Sequence, residues 1–260
     1  MPNPDRPSVA LVVGASRGIG FALAENLLSS EKYNKVFATY RGRDGGPGLN
    51  ALAQDFPRKL ELLEFDAEEE SSYAVLGRTL TQKVSHLDLL ISNIGVLGSD
   101  EKSQKPRGPE RKIAELSKDW LMRSFEINAL PFPLLVQALE PLLIQSRSPR
   151  LAALSAKVGS LADNRTGGWY SYRSSKAALN MLTLCLSIEF RRLHKESIVV
   201  ALHPGTTETD MTQEFIASAR KKYRVHSPQE TAKNLMGVID NLEPKDSGAF
   251  MNWDGSKLAW

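Results

Sequence analysis

A doubly wound α/β fold, with a seven-stranded parallel sheet covered by helices on both faces, is what this 260-residue sequence predicts. Two observations carry that reading. Short runs rich in Val, Leu and Ile alternate with longer stretches of helical spacing along the whole chain. Several of those runs, among them Ala10-Leu11-Val12-Val13 and Leu87-Asp88-Leu89-Leu90-Ile91, are apolar on both faces, as strands sandwiched between helical layers must be. A 42% apolar content over this length is enough for a full core in one domain, and no internal repeat or low-complexity linker divides it.

Taken in order, the strand-like runs are 8–13, 35–39, 59–65, 86–92, 150–155, 197–203 and 249–252. Helical spacing occupies 18–30, 69–84, 118–145, 169–194 and 228–241. The last helix opens on Ser227-Pro228-Gln229-Glu230, with a capping serine, proline at the first helical position and glutamate at the third. Two stretches fit neither element. Residues 96–115 crowd Asp100, Glu101, Lys102, Lys105, Arg107, Glu110, Arg111 and Lys112 around Pro106 and Pro109, and residues 206–225 follow Pro204-Gly205 and end in a basic cluster. Loops of this length in a compact domain are usually functional, so both are expected on the substrate side.

Composition excludes several classes. A formal charge of +3 is too small to mark a nucleic-acid or membrane partner. No apolar run approaches the ~18–20 residues needed to cross a bilayer. The polar, proline-containing start before residue 8 predicts no secretory signal, and a single cysteine, Cys185, fits a reducing compartment; a cytoplasmic location is expected. Cys185 itself reads as a small core residue of an apolar helix.

The chemistry begins at Gly14-Ala15-Ser16-Arg17-Gly18-Ile19-Gly20, between the first strand and the first helix. Glycines there let the backbone approach a diphosphate, whose charge is met by the free N–H groups and positive dipole end of the helix. An acidic residue closing the second strand would bond a ribose 2′-hydroxyl and repel a 2′-phosphate. Here the strand ends in Thr39-Tyr40-Arg41, with no acid before Asp44, and Arg17 and Arg41 offer charge-assisted bonds to a 2′-phosphate. NADP(H) is therefore expected in preference to NAD(H), and no metal is called for. Asp66 has two readings: an acceptor for the adenine amino group, or a cap for the helix that follows. Further along, Tyr172 and Lys176 stand four residues apart and share one helix face. A phenol with a pKa of about 10 is a poor proton shuttle at neutral pH, and a neighbouring ammonium favours its phenolate. Ser155 ends the fifth strand, where a parallel sheet presents side chains to a ligand.

In this order, the glycine loop, Ser92-Asn93-Ile94-Gly95, Asn128, Ser155 and the Tyr172/Lys176 pair resemble the short-chain dehydrogenase/reductase family over essentially the whole chain. The segments 155–160 and 163–173 resemble its branch of C-factor and sniffer-type carbonyl reductases. The resemblance implies a Rossmann fold and a tetrad of Asn128, Ser155, Tyr172 and Lys176. Ser155 would hold the substrate oxygen and Tyr172 would donate its proton. Lys176 would lower the tyrosine pKa and bind the nicotinamide ribose, and Asn128 would fix a water relaying protons to the lysine. Asn93 and Gly95 would shape the cofactor crevice, while Pro204, Gly205 and Thr209 would contact the nicotinamide amide. Val13, Ser92 and Ile94 depart from the family pattern at positions that support the fold.

The expected activity is NADPH-dependent carbonyl reduction, with pocket walls from Leu97, Trp169, Tyr170, Met211 and Phe215 suited to an apolar or aromatic carbonyl compound. The rival is a nucleotide-binding signalling protein on the same fold, against which the complete tetrad argues. An epimerase or dehydratase of the longer relatives would need a further substrate domain. The helix carrying Tyr172 is apolar nearly all round, so a homodimer or homotetramer through its outer face is expected.

Overall fold

In a computed structural model, residues 6–42, 44–98 and 108–260 are described. The expectations placed on residues 1–5, on Arg43 and on the charged run 99–107 lie outside the described residues. The chain runs β1 (Ser8–Val13), α1 (Gly18–Ser29), β2 (Tyr33–Tyr40), α2 (Gly46–Asp55), β3 (Leu60–Glu64), α3 (Glu70–Lys83) and β4 (Leu89–Ser92). It continues through α4 (Lys118–Asn128), α5 (Pro131–Leu143), β5 (Arg150–Leu154), α6 (Tyr170–Leu193), β6 (Ile198–His203) and β7 (Thr206–Thr207). After these come α7 (Gln213–Ala219), β8 (Val225–His226), α8 (Pro228–Asn241), β9 (Phe250–Asn252) and β10 (Lys257–Leu258).

The main sheet has the order β10-β9-β6-β5-β4-β1-β2-β3. Its seven expected strands are all parallel, and β10 adds an eighth, antiparallel to β9 at the edge. A two-residue strand leaves no run of apolar residues to read, which is why the expected count is one short. The strand β1 shows how the sheet is wound on both sides. Ala10 and Val12 face a layer containing Leu23 and Leu27 of α1 and Leu235 and Ile239 of α8. Val9, Leu11 and Val13 face the opposite layer, with Leu76 and Leu80 of α3, Leu135 and Leu139 of α5 and Leu179 of α6. Alternate side chains of one strand therefore anchor two helical layers, and each fully buried Leu or Val contributes about 1.5–3 kcal/mol.

Three local expectations are corrected. The stretch 118–145 is two helices rather than one: Pro131 has no N–H to give and fits the first turn of α5, so α4 closes at Asn128. Helix α2 was not expected, because Gly46-Pro47-Gly48 obscures its start and Leu49 is its one buried side chain. Cys185 is exposed, not core. It lies on the outer face of α6 with Met181 and Ile188, which are 59% and 47% exposed. The short strands β7 and β8 pair with each other as a separate two-stranded sheet beside the end of β6. No helix among the described residues is long and apolar enough to cross a membrane.

Candidate active site

The strands β1, β4, β5 and β6 end along one edge of the sheet, and the predicted residues gather there. Gly14 donates its N–H to Thr39 Oγ1 at 3.0 Å, while Asn93 donates from Nδ2 to the Gly14 carbonyl at 2.9 Å. Asn93 thereby straps the glycine loop to the end of β4. No side chain fits at Gly20, where a Cβ would stand 2.1 Å from the Gly14 carbonyl oxygen and 2.5 Å from Asn93 Nδ2. Gly18 adopts a φ of +57° and faces the Thr209 side chain across the crevice, 3.4 Å from where its Cβ would be. Ser16 and Arg17 stand exposed at the rim, and Ile19 packs on the core. Arg17 is the N-cap of α1 and makes no side-chain cap bond, and the first turn carries no acid. Among the described residues no side chain accepts from the first N–H groups of α1, and the residues present fit a diphosphate there.

Around the expected 2′-phosphate position, the two arginines already hold carboxylates. Arg17 Nη1 is 3.4 Å from Asp210 Oδ2, and Arg41 Nη1 is 3.3 Å from Glu68 Oε2. Glu68 also receives both terminal nitrogens of Arg123, at 2.5 and 3.2 Å. Neither Glu68 nor Arg123 is signalled by the sequence, since neither sits in a motif. Asp66 Oδ1 accepts the Glu68 N–H at 3.0 Å, closing a turn ahead of α3, whose own N-cap, Glu69, makes no side-chain cap bond. Gly205 adopts a φ of +77° under the Trp253 ring, and Pro204 precedes it at the head of the β7 turn.

Tyr172 and Lys176 share a face of α6, with Lys176 Nζ 5.9 Å from the centre of the phenol ring. Lys176 is buried and donates to the Leu154 carbonyl at 2.9 Å. Gly95 lies so near that a Cβ there would be 3.4 Å from Lys176 Nζ and 3.3 Å from Asn128 Oδ1. Ser155 is buried at the end of β5 and donates from Oγ to Asn180 Oδ1 at 2.6 Å. Asn180, four residues beyond Lys176 on the same face, is a member of this group that the motif reading omitted. Its helical spacing was the signal that identifies it.

Two further features of the expected tetrad complete this geometry. The Asn128 amide acts as a clamp: Oδ1 accepts the Val96 N–H at 2.7 Å, and Nδ2 donates to the Val96 carbonyl at 3.1 Å and to Ser175 Oγ at 3.0 Å. Its side chain thus fastens the loop after β4 to α6. The second concerns proton affinity. Burial pushes the Tyr172 phenol up to about 12 and the Lys176 ammonium down to about 8. Desolvation disfavours the charged form of each. Burial likewise lowers His203, at the end of β6, to about 4, in keeping with a packing role.

The substrate side is formed by side chains from distant segments. Trp169, in left-handed backbone with a φ of 52°, packs 5.3 Å from Phe215 of α7 and 6.3 Å from Tyr172, ring centre to ring centre. Of the other expected wall residues, Leu97 is half-buried, and Tyr170 and Met211 are exposed. Buried Glu110 reaches the start of α6, where its carboxylate accepts the Ser171 N–H and hydroxyl and its carbonyl accepts the Trp169 N–H. This carboxylate satisfies a first-turn donor and meets the positive end of the helix that carries Tyr172.

Comparison with known proteins gives a consistent picture. The family model described as short chain dehydrogenase matches residues 8–220. A 1-hydroxy-2-glutathionyl-2-methyl-3-butene dehydrogenase from Rhodococcus sp. (strain AD45) is 30% identical over 97% of this chain and 100% of its own. Among solved structures, NADPH-bound carbonyl reductase from chicken fatty liver superposes with a TM-score of 0.83 at 29% identity, covering 98% of this chain and 95% of that one. Carbonyl reductase Sniffer of D. melanogaster gives 0.83 at 27% identity, over 97% and 99% of the two chains.

Proposed function

The chain belongs to the short-chain dehydrogenase family, and from that premise we propose that it is an NADPH-dependent carbonyl reductase with Tyr172 as its general acid and base. The observation that carries this reading is the convergence of Tyr172, Lys176 and Ser155 beside the glycine loop at one sheet edge. The carbonyl reductases it resembles in three dimensions, one solved with NADPH bound, support the same assignment.

A bound nicotinamide cofactor supplies the hydride that the polypeptide lacks. The residues of the chain do the rest. Gly14, Gly18 and Gly20 with the N-terminus of α1 would hold the diphosphate, and Arg17 and Arg41 the 2′-phosphate. Their ion pairs do not prevent this: the Arg17–Asp210 pair is exposed and such pairs are worth about 0–1 kcal/mol, while Glu68 keeps Arg123 as a partner when Arg41 turns to a phosphate. Ser155 positions the carbonyl oxygen. Tyr172, whose phenol is protonated throughout the neutral range, gives its proton to that oxygen as charge develops there. Lys176 keeps positive charge beside the phenolate so formed, and Asn128 holds the loop after β4 at Val96. Trp169 and Phe215 favour a carbonyl carrying an apolar or aromatic group.

The test is a panel of aldehydes, ketones and quinones, followed by NADPH absorbance with NADH in parallel. Oxidation of NADPH by at least one carbonyl class is expected, falling about 100- to 10,000-fold in Tyr172→Phe. No oxidation across the panel would overturn the enzymatic reading, and equal or faster rates with NADH would overturn the assignment of Arg17 and Arg41. The stripe of Met181, Cys185 and Ile188 on α6 supports self-association as a homodimer or homotetramer. Sedimentation at micromolar concentration checks it, and a monomer alone would sink it.

A further inference from the structure

We infer that Asn180 is a positioning residue that sets which way the Ser155 hydroxyl points, and that it does so through its side-chain amide. The inference rests on the carbonyl-reductase reading and extends it to a residue outside the expected tetrad. Three observations converge. Asn180 is 4% exposed and follows Tyr172 and Lys176 at successive four-residue steps on α6. Its Oδ1 accepts the Ser155 hydroxyl hydrogen at 2.6 Å. Its Nδ2 is buried and has no hydrogen-bond partner among the described residues.

The chemistry of the carbonyl step makes this arrangement informative. A serine hydroxyl has one hydrogen, and while that hydrogen lies on Asn180 Oδ1 the oxygen can only accept. To stabilise a carbonyl oxygen gaining negative charge, Ser155 must donate to it. The serine backbone cannot adjust, because its N–H is held by the Leu202 carbonyl in the sheet at 2.8 Å. The hydroxyl must turn instead, and its oxygen then needs a donor in place of Oδ1. An amide has nearly the same outline when turned over, so Nδ2 can take the position of Oδ1. No bond among the described residues is lost at its other end, since Nδ2 has no partner among them where it now sits. After the turn, Asn180 Nδ2 donates to Ser155 Oγ, which donates to the substrate oxygen. Each donor in the chain then has an acceptor, and each bond polarises the next.

Two variants and one cycle test it, with para-nitrobenzaldehyde as carbonyl probe and NADPH as reductant. Asn180→Leu is expected to lower kcat about 10- to 100-fold, with the KM for NADPH little changed, as for loss of support to a single oxyanion donor. In Asn180→Asp, the ionised carboxylate can only accept and keeps the Ser155 hydrogen. Its kcat is expected to recover as pH falls and the carboxyl protonates, a limb absent from the wild type. A wild-type kcat in Asn180→Leu, or an Asn180→Asp profile parallel to wild type, would overturn the inference. The readout independent of turnover is an unfolding double-mutant cycle of Ser155→Ala with Asn180→Ala. Less-than-additive destabilisation is expected, and strict additivity would overturn the pairing, including where a single variant folds too poorly to assay. Failure of the carbonyl-reductase reading is distinguishable, because it silences the wild type and leaves the unfolding cycle intact.

Discussion

The cofactor side and the substrate side of the crevice are built by opposite means. On the cofactor side, backbone does the shaping: Gly20 leaves no room for a Cβ against the Gly14 carbonyl, and one asparagine, Asn93, ties the turn to β4. On the substrate side, side chains far apart in sequence do it: Glu110 caps the helix of Tyr172, and Trp169 packs on Phe215. A site made of backbone recognises what all its ligands share, here a phosphate chain, and tolerates no added atoms. A site made of side chains can be altered one contact at a time, which is how substrate preference changes on a constant scaffold.

The sharpest way to break this contrast is Gly20→Ala. A single methyl has nowhere to go, so NADPH binding is expected to fall at least about 100-fold and stability by about 1–3 kcal/mol, read by fluorescence titration and thermal unfolding. Near-normal binding would mean that the turn yields, and the contrast would fail. Next in size is Arg41→Ala, expected to weaken NADPH about 10- to 100-fold and leave NADH nearly unchanged, because loss of a bond between charged groups is worth about 1.5–3 kcal/mol. On the other side, Glu110→Gln should act gradedly. Loss of the charged cap at α6 is expected to cost about 0.5–2 kcal/mol in unfolding and to raise the KM for the carbonyl substrate more than it lowers kcat. An equal loss in NADPH affinity would show that the two sides are not separate.

The smallest effect is one of pH. Burial lowers Lys176 from 10.5 to about 8, so between those values the unfolded chain holds the proton and the folded chain has released it. Folding stability from this group therefore rises as pH goes from about 8 to 10.5, and below 8 the cost of burying the ammonium is felt in full. Relative to Lys176→Met, the wild type is expected to gain stability over that interval in denaturant melts. A flat difference would show that Lys176 is solvated in the folded protein.

How much of this was readable in advance varies residue by residue. The strand order of hydrophobic runs led directly to the seven parallel strands, since burial on both faces leaves no polar alternation to misread. The helix break at Pro131 was visible as a residue but not as an end, because a proline at the first turn and one within a helix look alike in one dimension. Cys185 was misplaced for a related reason. The composition of α6 is apolar nearly all round, and which part of it meets the sheet depends on how the helix is rotated against β5 and β6. Asn180 was within reach through its spacing from Tyr172 and Lys176, whereas Glu68 and Glu110 had no signal at all.

From the sequence by itself came the doubly wound class, the glycine turn, and the Tyr172 and Lys176 pair, because each depends on residues near one another along the chain and on a period that burial imposes. Only the tertiary structure decided that Asn128 clamps Val96, that Glu68 lies between Arg41 and Arg123, and that Glu110 caps α6. Those contacts join segments distant in sequence. Hydrogen bonds and ion pairs act over about 3 Å, so which carboxylate meets which partner is settled only when the sheet and its layers have brought the loops together.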